Sequence, residues 1–349
     1  MTTTEELAGG RLRAAKAAYT TAAVELDAAR SLLGDVVPRP GDLVLAEVLS
    51  IGQHPRLELR DGRRAMLFPG DEVIVSYGAR YATDQFHAEV PADLGDCDLA
   101  AAGGLAARVV ARHSGIGAPT TVRPVGVLAD AAGRRMNLAD WAAPAPIGAP
   151  AIPAVVVLGT SMNAGKTTTA AHLVRGLTAA GLRTGAAKAT GTGAGGDRWL
   201  FADAGASPAL DFTVAGLAST YGVSDRVVQQ TFALLRDAIA AAGADLAVLE
   251  IADGLAQGET RALLESEVMS GVDAVVFAAG DALGAAAGVR ALLELDLPVR
   301  AVSGRLTASP LASVEAAALT GLPVLGLPQL GDRAVADVLL SGATDAIAA

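Results

Sequence analysis

The run Ala154-Val-Val-Val-Leu158 followed by Gly159-Thr-Ser-Met-Asn-Ala-Gly-Lys-Thr167 limits what this chain can fold into more than any other stretch. An unbroken apolar run bounded by glycine reads as a buried strand, and the residues from Lys166 to about Ala180 read as a helix. In a strand, glycine-containing loop and helix, the loop amides and the helix N-terminus converge on an anion. Lys166 adds a mobile cation for β- and γ-phosphates, and the Thr167 hydroxyl can ligate Mg²⁺. The nucleotide-binding candidates are Gly159, Thr160, Asn163, Ala164, Gly165, Lys166, Thr167 and Thr168. A glycine loop that only caps the helix is the alternative.

Beyond this loop, short apolar runs alternate with helical patterns. Strands are expected at 154–158, 184–188, 246–250, 274–278, 299–302 and 324–327, with helices beginning near Lys166, Ser224, Glu259, Leu283, Pro310 and Asp332. Such alternation specifies an α/β domain whose mainly parallel sheet is covered by helices, with ligands at the carboxyl ends of the strands. Residues 154–349 are assigned to it, after a Pro/Ala linker at 142–153 that can form neither helix nor central strand.

Before the linker the texture differs. Thr3 and Glu6 have capping-box spacing, and Leu7, Leu12, Tyr19, Ala22, Leu26 and Leu33 follow at helical intervals, so residues 1–35 are expected to be helical, with a break at Gly9-Gly10. That helix could serve as a dimerisation arm or pack on its own domain. Strand-like runs at 43–49, 56–59, 65–68 and 72–77, punctuated by Asp61-Gly62 and Pro69-Gly70, predict a small antiparallel barrel or meander over 36–92. His54, Arg56, Arg60, Arg63, Arg64, Arg80 and His87 could form an anion-binding face there, although solvated barrel surface explains the same pattern. Residues 93–141 read as an α/β connector, with a helix at 93–113 and a strand-turn-strand at 122–138.

The loop departs from the Walker A spacing G-x-x-x-x-G-K-[ST], which would place its first glycine at Thr160 rather than Gly159. With this shifted glycine it resembles the dethiobiotin synthetase and cobyric acid synthase group of P-loop NTPases. Leu246-Ala-Val-Leu-Glu250-Ile-Ala-Asp-Gly254-Leu255 is similar to that group's apolar strand ending in Glu-Gly-Ala-Gly-Gly. The resemblance makes Glu250 the Mg²⁺-associated carboxylate, and a carboxylate ending a buried strand needs a cation or hydrogen bonds in any case. It also implies that Lys188 and Asp197 handle the reacting group, with Lys166 the third catalytic candidate and Asp197 a further metal candidate beside Thr167 and Glu250. Ile251-Ala-Asp253 replaces the group's small residues. Gly196-Asp197-Arg198 through Ala204-Gly205-Ala206 resembles, more weakly, the molybdopterin-guanine-dinucleotide accessory P-loop proteins. In relatives the loop after a late strand recognises the base; here that is Ser303 to Thr307, including Arg305, or alternatively Leu327-Pro328-Gln329. Neither carries a guanine-specifying Asn/Thr-Lys-x-Asp, so ATP is favoured over GTP.

Two functions follow from this reading. One is an ATP-dependent ligase or phosphotransferase that activates a small carboxylate or carbamate, the acceptor lying near Thr190, Thr192, Asp253 and Gln257. The other is a nucleotide-dependent switch or accessory ATPase acting on a protein or cofactor partner. Four scattered histidines without a G-x-S-x-G pattern, and a single cysteine, Cys97, support neither a serine hydrolase nor a zinc site. A net charge of −10 with 3% aromatic residues argues against nucleic acid as a partner. Without an apolar run of spanning length or a charged-then-apolar leader, a cytoplasmic chain is expected, with no membrane partner and a homodimer left open.

Overall fold

Five strands of the N-terminal half close on themselves. In the computed structural model, which describes residues 4–7 and 10–340, Thr120–Ala129 pairs Leu43–Ser50, which pairs Glu72–Tyr77, which pairs Leu105–Arg112, which pairs Cys97–Ala101, which returns to Thr120–Ala129. All neighbours run antiparallel except Glu72–Tyr77 with Leu105–Arg112. Alternation along the strands produces two apolar faces. Val44, Ala46 and Val48 bury with Val73, Val75, Tyr77, Leu99 and Val122. Leu43 and Leu45 bury instead with Ile74, Leu105 and Leu128, under Val24, Leu32, Met136 and Leu138.

That second face explains why the N-terminal segment is not the expected helix. Among the described residues up to Leu33 there are strands at Thr4–Glu6, Lys16–Ala17 and Ser31–Leu33, one helical turn at Arg11–Ala14, and 3₁₀ turns at Tyr19–Thr21 and Leu26–Ala28. Burying a large aliphatic side chain contributes roughly 1.5–3 kcal/mol, against helix preferences of at most about 0.7 kcal/mol per ordinary residue. Covering the barrel therefore outweighs the alanine-rich periodicity. Of the proposed capping box, Thr3 lies outside the described residues, as does Gly9 of the proposed break.

The connector over 93–141 is likewise not α/β. Cys97–Ala101 and Leu105–Arg112 form an antiparallel hairpin of the barrel across Gly103-Gly104. Gly104 has φ +101°, and a Cβ there would stand 2.0 Å from the Ala18 Cβ. The second half of the expected 122–138 strand pair is reduced to a bridge between Ala129 and Arg135 and a 3₁₀ turn at Leu138–Trp141.

His54 sits inside this barrel unit with a testable consequence. Its Nε2 lies 3.1 Å from the Ala100 carbonyl, which also accepts from the Arg80 guanidinium. Burial, reinforced by the Arg80 charge, pushes the imidazole down from 6.5 to about 4. The unfolded chain therefore binds a proton that the folded one refuses between these values, and stability falls as pH drops through that window. Between pH 7.5 and 4 the loss attributable to this residue is expected to be roughly 2–3 kcal/mol. Denaturant midpoints for wild type and His54→Gln across that range should diverge accordingly; parallel curves would refute the assignment.

The sequence divides after Ala143, but the division is not a single cut: Thr192–Gly196 and Phe212–Gly222 belong to the first unit, and Pro144–Gly191, Asp197–Asp211 and the residues from Val223 onward form the second. The second unit is built on a six-stranded, wholly parallel sheet in the order Ala209–Asp211, Thr184–Lys188, Leu246–Glu250, Ala154–Gly159, Ala274–Ala278, Val299–Ser303. Its strands Ala154–Gly159, Leu246–Glu250 and Ala274–Ala278 are buried throughout, as continuous Val, Leu and Ala runs require. Helices Lys166–Ala179 and Asp225–Ala241 pack on the central strands, and Ala282–Leu293 with Pro310–Thr320 lie beyond Ala274–Ala278 and Val299–Ser303. The expected strand at 324–327 is reduced to one parallel bridge, Val324 to Val302, before a helical turn at Leu327–Leu330. Pro323 and Pro328 flank it, each lacking the backbone donor that a longer ladder needs. Among the described residues no helix is long and apolar enough to cross a membrane.

Candidate functional site

Strand register in the second unit gathers the charged residues at one edge. Glu250 stands opposite Val157 on one side and Lys188 on the other, and Lys188 in turn stands opposite Asp211. The loop from Gly159 springs from the same carboxyl end. Ligands of open parallel sheets bind at such an edge.

The loop is held closely by its neighbours. Gly159 has no room for a side chain, because a Cβ would stand 2.4 Å from the Ala278 carbonyl oxygen. A Cβ on Gly254, four residues past Glu250, would likewise stand 2.4 Å from the Thr160 carbonyl oxygen. Asn163 (φ 62°) and Gly165 (φ 99°) take left-handed conformations, and helix Lys166–Ala179 starts from Gly165 with no side-chain cap. An uncapped start leaves first-turn N–H groups for another acceptor, at the positive end of the helix dipole. The Thr160 amide donates to Ala278 O and the Arg305 amide to Ala164 O, which fixes both ends of the turn.

Lys166 is 7% exposed, and its Nζ donates to the carbonyls of Ser161 and Asp253, each at 2.7 Å. Burial holds its pKa below the ordinary lysine value, opposed by the carboxylates of Glu250 and Asp253. The Thr167 hydroxyl donates to Glu250 Oε1 at 2.9 Å. Glu250 is 1% exposed, and its other oxygen, Oε2, is buried without a hydrogen-bond partner among the described residues. Burial pushes this carboxyl up to about 7 against the pull of Lys188. Lys188 is ion-paired with Asp197. Burial opposes the charge on Lys188, but Asp197 and Glu250 override it and hold the ammonium above its usual range.

A buried carboxylate oxygen beside a threonine hydroxyl fits a hard divalent cation, for which oxygen is the preferred donor. Among the described residues no three His, Cys, Asp or Glu side chains converge as a metal cage. Mg²⁺ does not demand one, since it commonly keeps water and phosphate oxygens and takes one or two protein carboxylates.

The acceptor-side candidates divide. The Thr190 hydroxyl accepts from the Ala252 amide at 2.8 Å, and Asp253 holds a left-handed conformation (φ 66°) on the loop that meets Lys166. Gln257 caps helix Gly258–Leu264, its Oε1 accepting from the Thr260 amide and hydroxyl. Thr192 belongs to the first unit, where it forms an isolated antiparallel bridge with Ser219.

The two stretches weighed as alternatives for base recognition line the same cavity. It measures about 570 Å³ and is bounded by Gly165 of the glycine loop and Thr168 of the helix after it, Gly304 and Arg305, and Leu327 to Gln329. That volume lies within the range of small-molecule sites. Gly304 lies within the stretch Ser303 to Thr307 that the sequence offers for base recognition. It has φ +99°, and a Cβ would stand 2.4 Å from Ala164 O and 2.6 Å from the Ala279 amide. Gly304→Ala is therefore expected to cost about 2–4 kcal/mol of stability and to weaken nucleotide binding with it. An unchanged denaturant midpoint would contradict this packing. Buried Asp211, in register with Lys188, was not among the predicted site residues.

No family model and no curated protein matches the sequence. Among solved structures, the signal recognition particle 54 kDa protein from Aeropyrum pernix K1, in complex with GDP, matches at 20% identity and TM-score 0.37, over 57% of this chain and 49% of that one. The signal recognition particle receptor FtsY from Elizabethkingia anophelis matches at 17% identity and TM-score 0.33, over 51% of this chain and 59% of that one. The chain thus spans about half the length of the structures that it matches. The second unit is an α/β domain with a wholly parallel sheet, and a glycine-containing loop joins its strand Ala154–Gly159 to the helix Lys166–Ala179.

Proposed function

We propose that the chain binds a nucleoside triphosphate, ATP in preference to GTP, together with Mg²⁺, and uses it to phosphorylate a small carboxylate or carbamate. The observation that carries this reading is the arrangement around Glu250: one oxygen on the Thr167 hydroxyl, the other buried and partnerless among the described residues, with the charges of Lys188 and Lys166 acting on it. Thr167 and Glu250 would hold the ion, with Asp197 a further carboxylate near it. When bound, Mg²⁺ neutralises charge on the β- and γ-phosphate oxygens.

The chain's own groups supply the rest. Lys166 exchanges its two carbonyl partners for phosphate oxygens, and the loop amides complete the cradle. Lys188 remains protonated, so it can offset negative charge on the transferring group, and Asp197 orients it. Phosphoryl transfer is mostly positioning and charge neutralisation, so no protein nucleophile is required. Thr190 and Asp253 flank the side on which an acceptor would approach.

One observation favours a second reading, a nucleotide-dependent switch. The chain leaves the second unit after Gly191, enters the first at Thr192, and returns at Asp197, the partner of Lys188. A segment so tethered is suited to carrying a change at the γ-phosphate elsewhere.

Incubation with ATP and Mg²⁺ in the presence of candidate small carboxylates, carbamates and amines, following ADP release, separates the two. Stimulation by one small molecule is the expected result. Stimulation by a protein partner alone would favour the switch, and absence of nucleotide binding would remove both.

A further inference from the structure

A second cavity lies wholly in the first unit and shares no residue with the phosphate site. It measures about 330 Å³, the lower end of the range for small-molecule sites. Strand Phe86–Glu89 forms one wall, paired with the end of Leu105–Arg112. A register shift between Val109 and Ala111 sets His87 opposite Ala111 and Arg112 opposite Phe86. Irregularities of this kind re-aim side chains and recur beside binding sites.

Three features of the lining specify a ligand. The first is an aromatic wall: the Tyr81 and Tyr221 rings lie 5.5 Å apart, and Tyr221 meets the His87 ring edge-on at 5.9 Å, with its hydroxyl 3.3 Å from His87 Nε2. The second is charge. Arg112 lines the cavity and no carboxylate does among the described residues, while His113 Nδ1 accepts from the Gly115 amide, leaving Nε2 as that ring's donor. The third is an acceptor: Gln85 lines the cavity and its Oε1 is buried with no protein hydrogen-bond partner among the described residues. Such an oxygen costs about 1–3 kcal/mol unless something donates to it.

We propose that Tyr81, Gln85, His87, Arg112, His113 and Tyr221 form a binding site for a small planar aromatic anion that also carries a hydrogen-bond donor on or beside its ring. The ring lies along the tyrosine wall, the anionic group meets Arg112, and the donor meets Gln85 Oε1. Nothing in this site depends on the chemistry proposed for the second unit.

Ligand-observed NMR and calorimetry on the full chain test it with four probes: 4-hydroxybenzoate, benzoate, 4-hydroxybenzamide and inorganic phosphate. Saturable binding of 4-hydroxybenzoate is expected, with 4-hydroxybenzamide and phosphate each weaker by about tenfold or more. Arg112 is exposed, so Arg112→Ala should keep the wild-type melting temperature while weakening 4-hydroxybenzoate by about tenfold or more. Gln85→Leu should weaken 4-hydroxybenzoate but not benzoate. The proposal is overturned by the absence of saturable binding of any aromatic probe at about 10 mM. It is equally overturned if phosphate or the uncharged amide binds as well as 4-hydroxybenzoate, or if Arg112→Ala leaves affinity unchanged.

Discussion

Replacement of Lys166 by methionine is expected to lower nucleotide affinity by about a hundredfold or more, close to 3 kcal/mol, with the fold retained. The ammonium is the one cation rooted in the loop itself, and charge-assisted bonds to phosphate are roughly twice as strong as neutral ones. Methionine matches the unbranched side chain as far as Cε and removes a buried charge whose desolvation already depresses its pKa. Against that gain, the carbonyls of Ser161 and Asp253 lose their donor, at about 1–3 kcal/mol each unless water reaches them. The two effects oppose each other, so the melting temperature should change little while calorimetry with ATP loses its signal. Wild-type affinity in this variant would place the nucleotide elsewhere.

The second large effect is expected from Glu250→Gln. The amide preserves the volume and can still accept from Thr167 through its oxygen, but it replaces Oε2 by an N–H donor and removes the negative charge that a divalent ion requires. Turnover should fall by about a hundredfold or more, and the Mg²⁺ dependence of nucleotide affinity should flatten. Binding in EDTA should match wild type, because Lys166 and the loop amides are untouched. Wild-type turnover with an unaltered Mg²⁺ titration would remove Glu250 from the metal site.

The contrast between the two halves shows which physical signals survive in a sequence. Strands buried on both faces are continuous apolar runs, so Ala154–Gly159, Leu246–Glu250 and Ala274–Ala278 were readable to within a residue. The edge strand Ala209–Asp211, three residues long, and the helix Gly196–Asp203, which starts on a glycine and exposes Trp199 and Leu200, carry little pattern and went unrecognised. In the N-terminal half, alanine misled. Its high helix propensity made 1–35 and 93–113 look helical, whereas the Gly103-Gly104 pair, a hairpin signal, was the better guide to Cys97–Ala101 and Leu105–Arg112. Closure of the barrel depends on pairings between strands far apart in sequence, such as Thr120–Ala129 with Leu43–Ser50, and no local pattern encodes those.

The candidate site residues stand out in the sequence for a different reason. Gly165, Lys166 and Thr167 are contiguous, and Glu250 ends an apolar strand, so each announces itself locally. Lys188 and Asp197 enter as separate candidates from family resemblance alone, and their ion pair is seen only in the structure. The capping bonds of Gln257 to Thr260 are invisible without the helix that they start. Nothing in Gly191 signals that the chain changes unit between Thr190 and Thr192.

Amide hydrogen exchange with and without a non-hydrolysable ATP analogue and Mg²⁺ bears most directly on the claim that a triphosphate lies in the loop between Gly159 and the helix from Lys166. Slowed exchange is expected at residues 163–168 and at 304–307, where the phosphate cradle and the cavity beside it meet. Saturating analogue that leaves residues 163–168 exchanging at their free rate, or that protects the barrel alone, would contradict it.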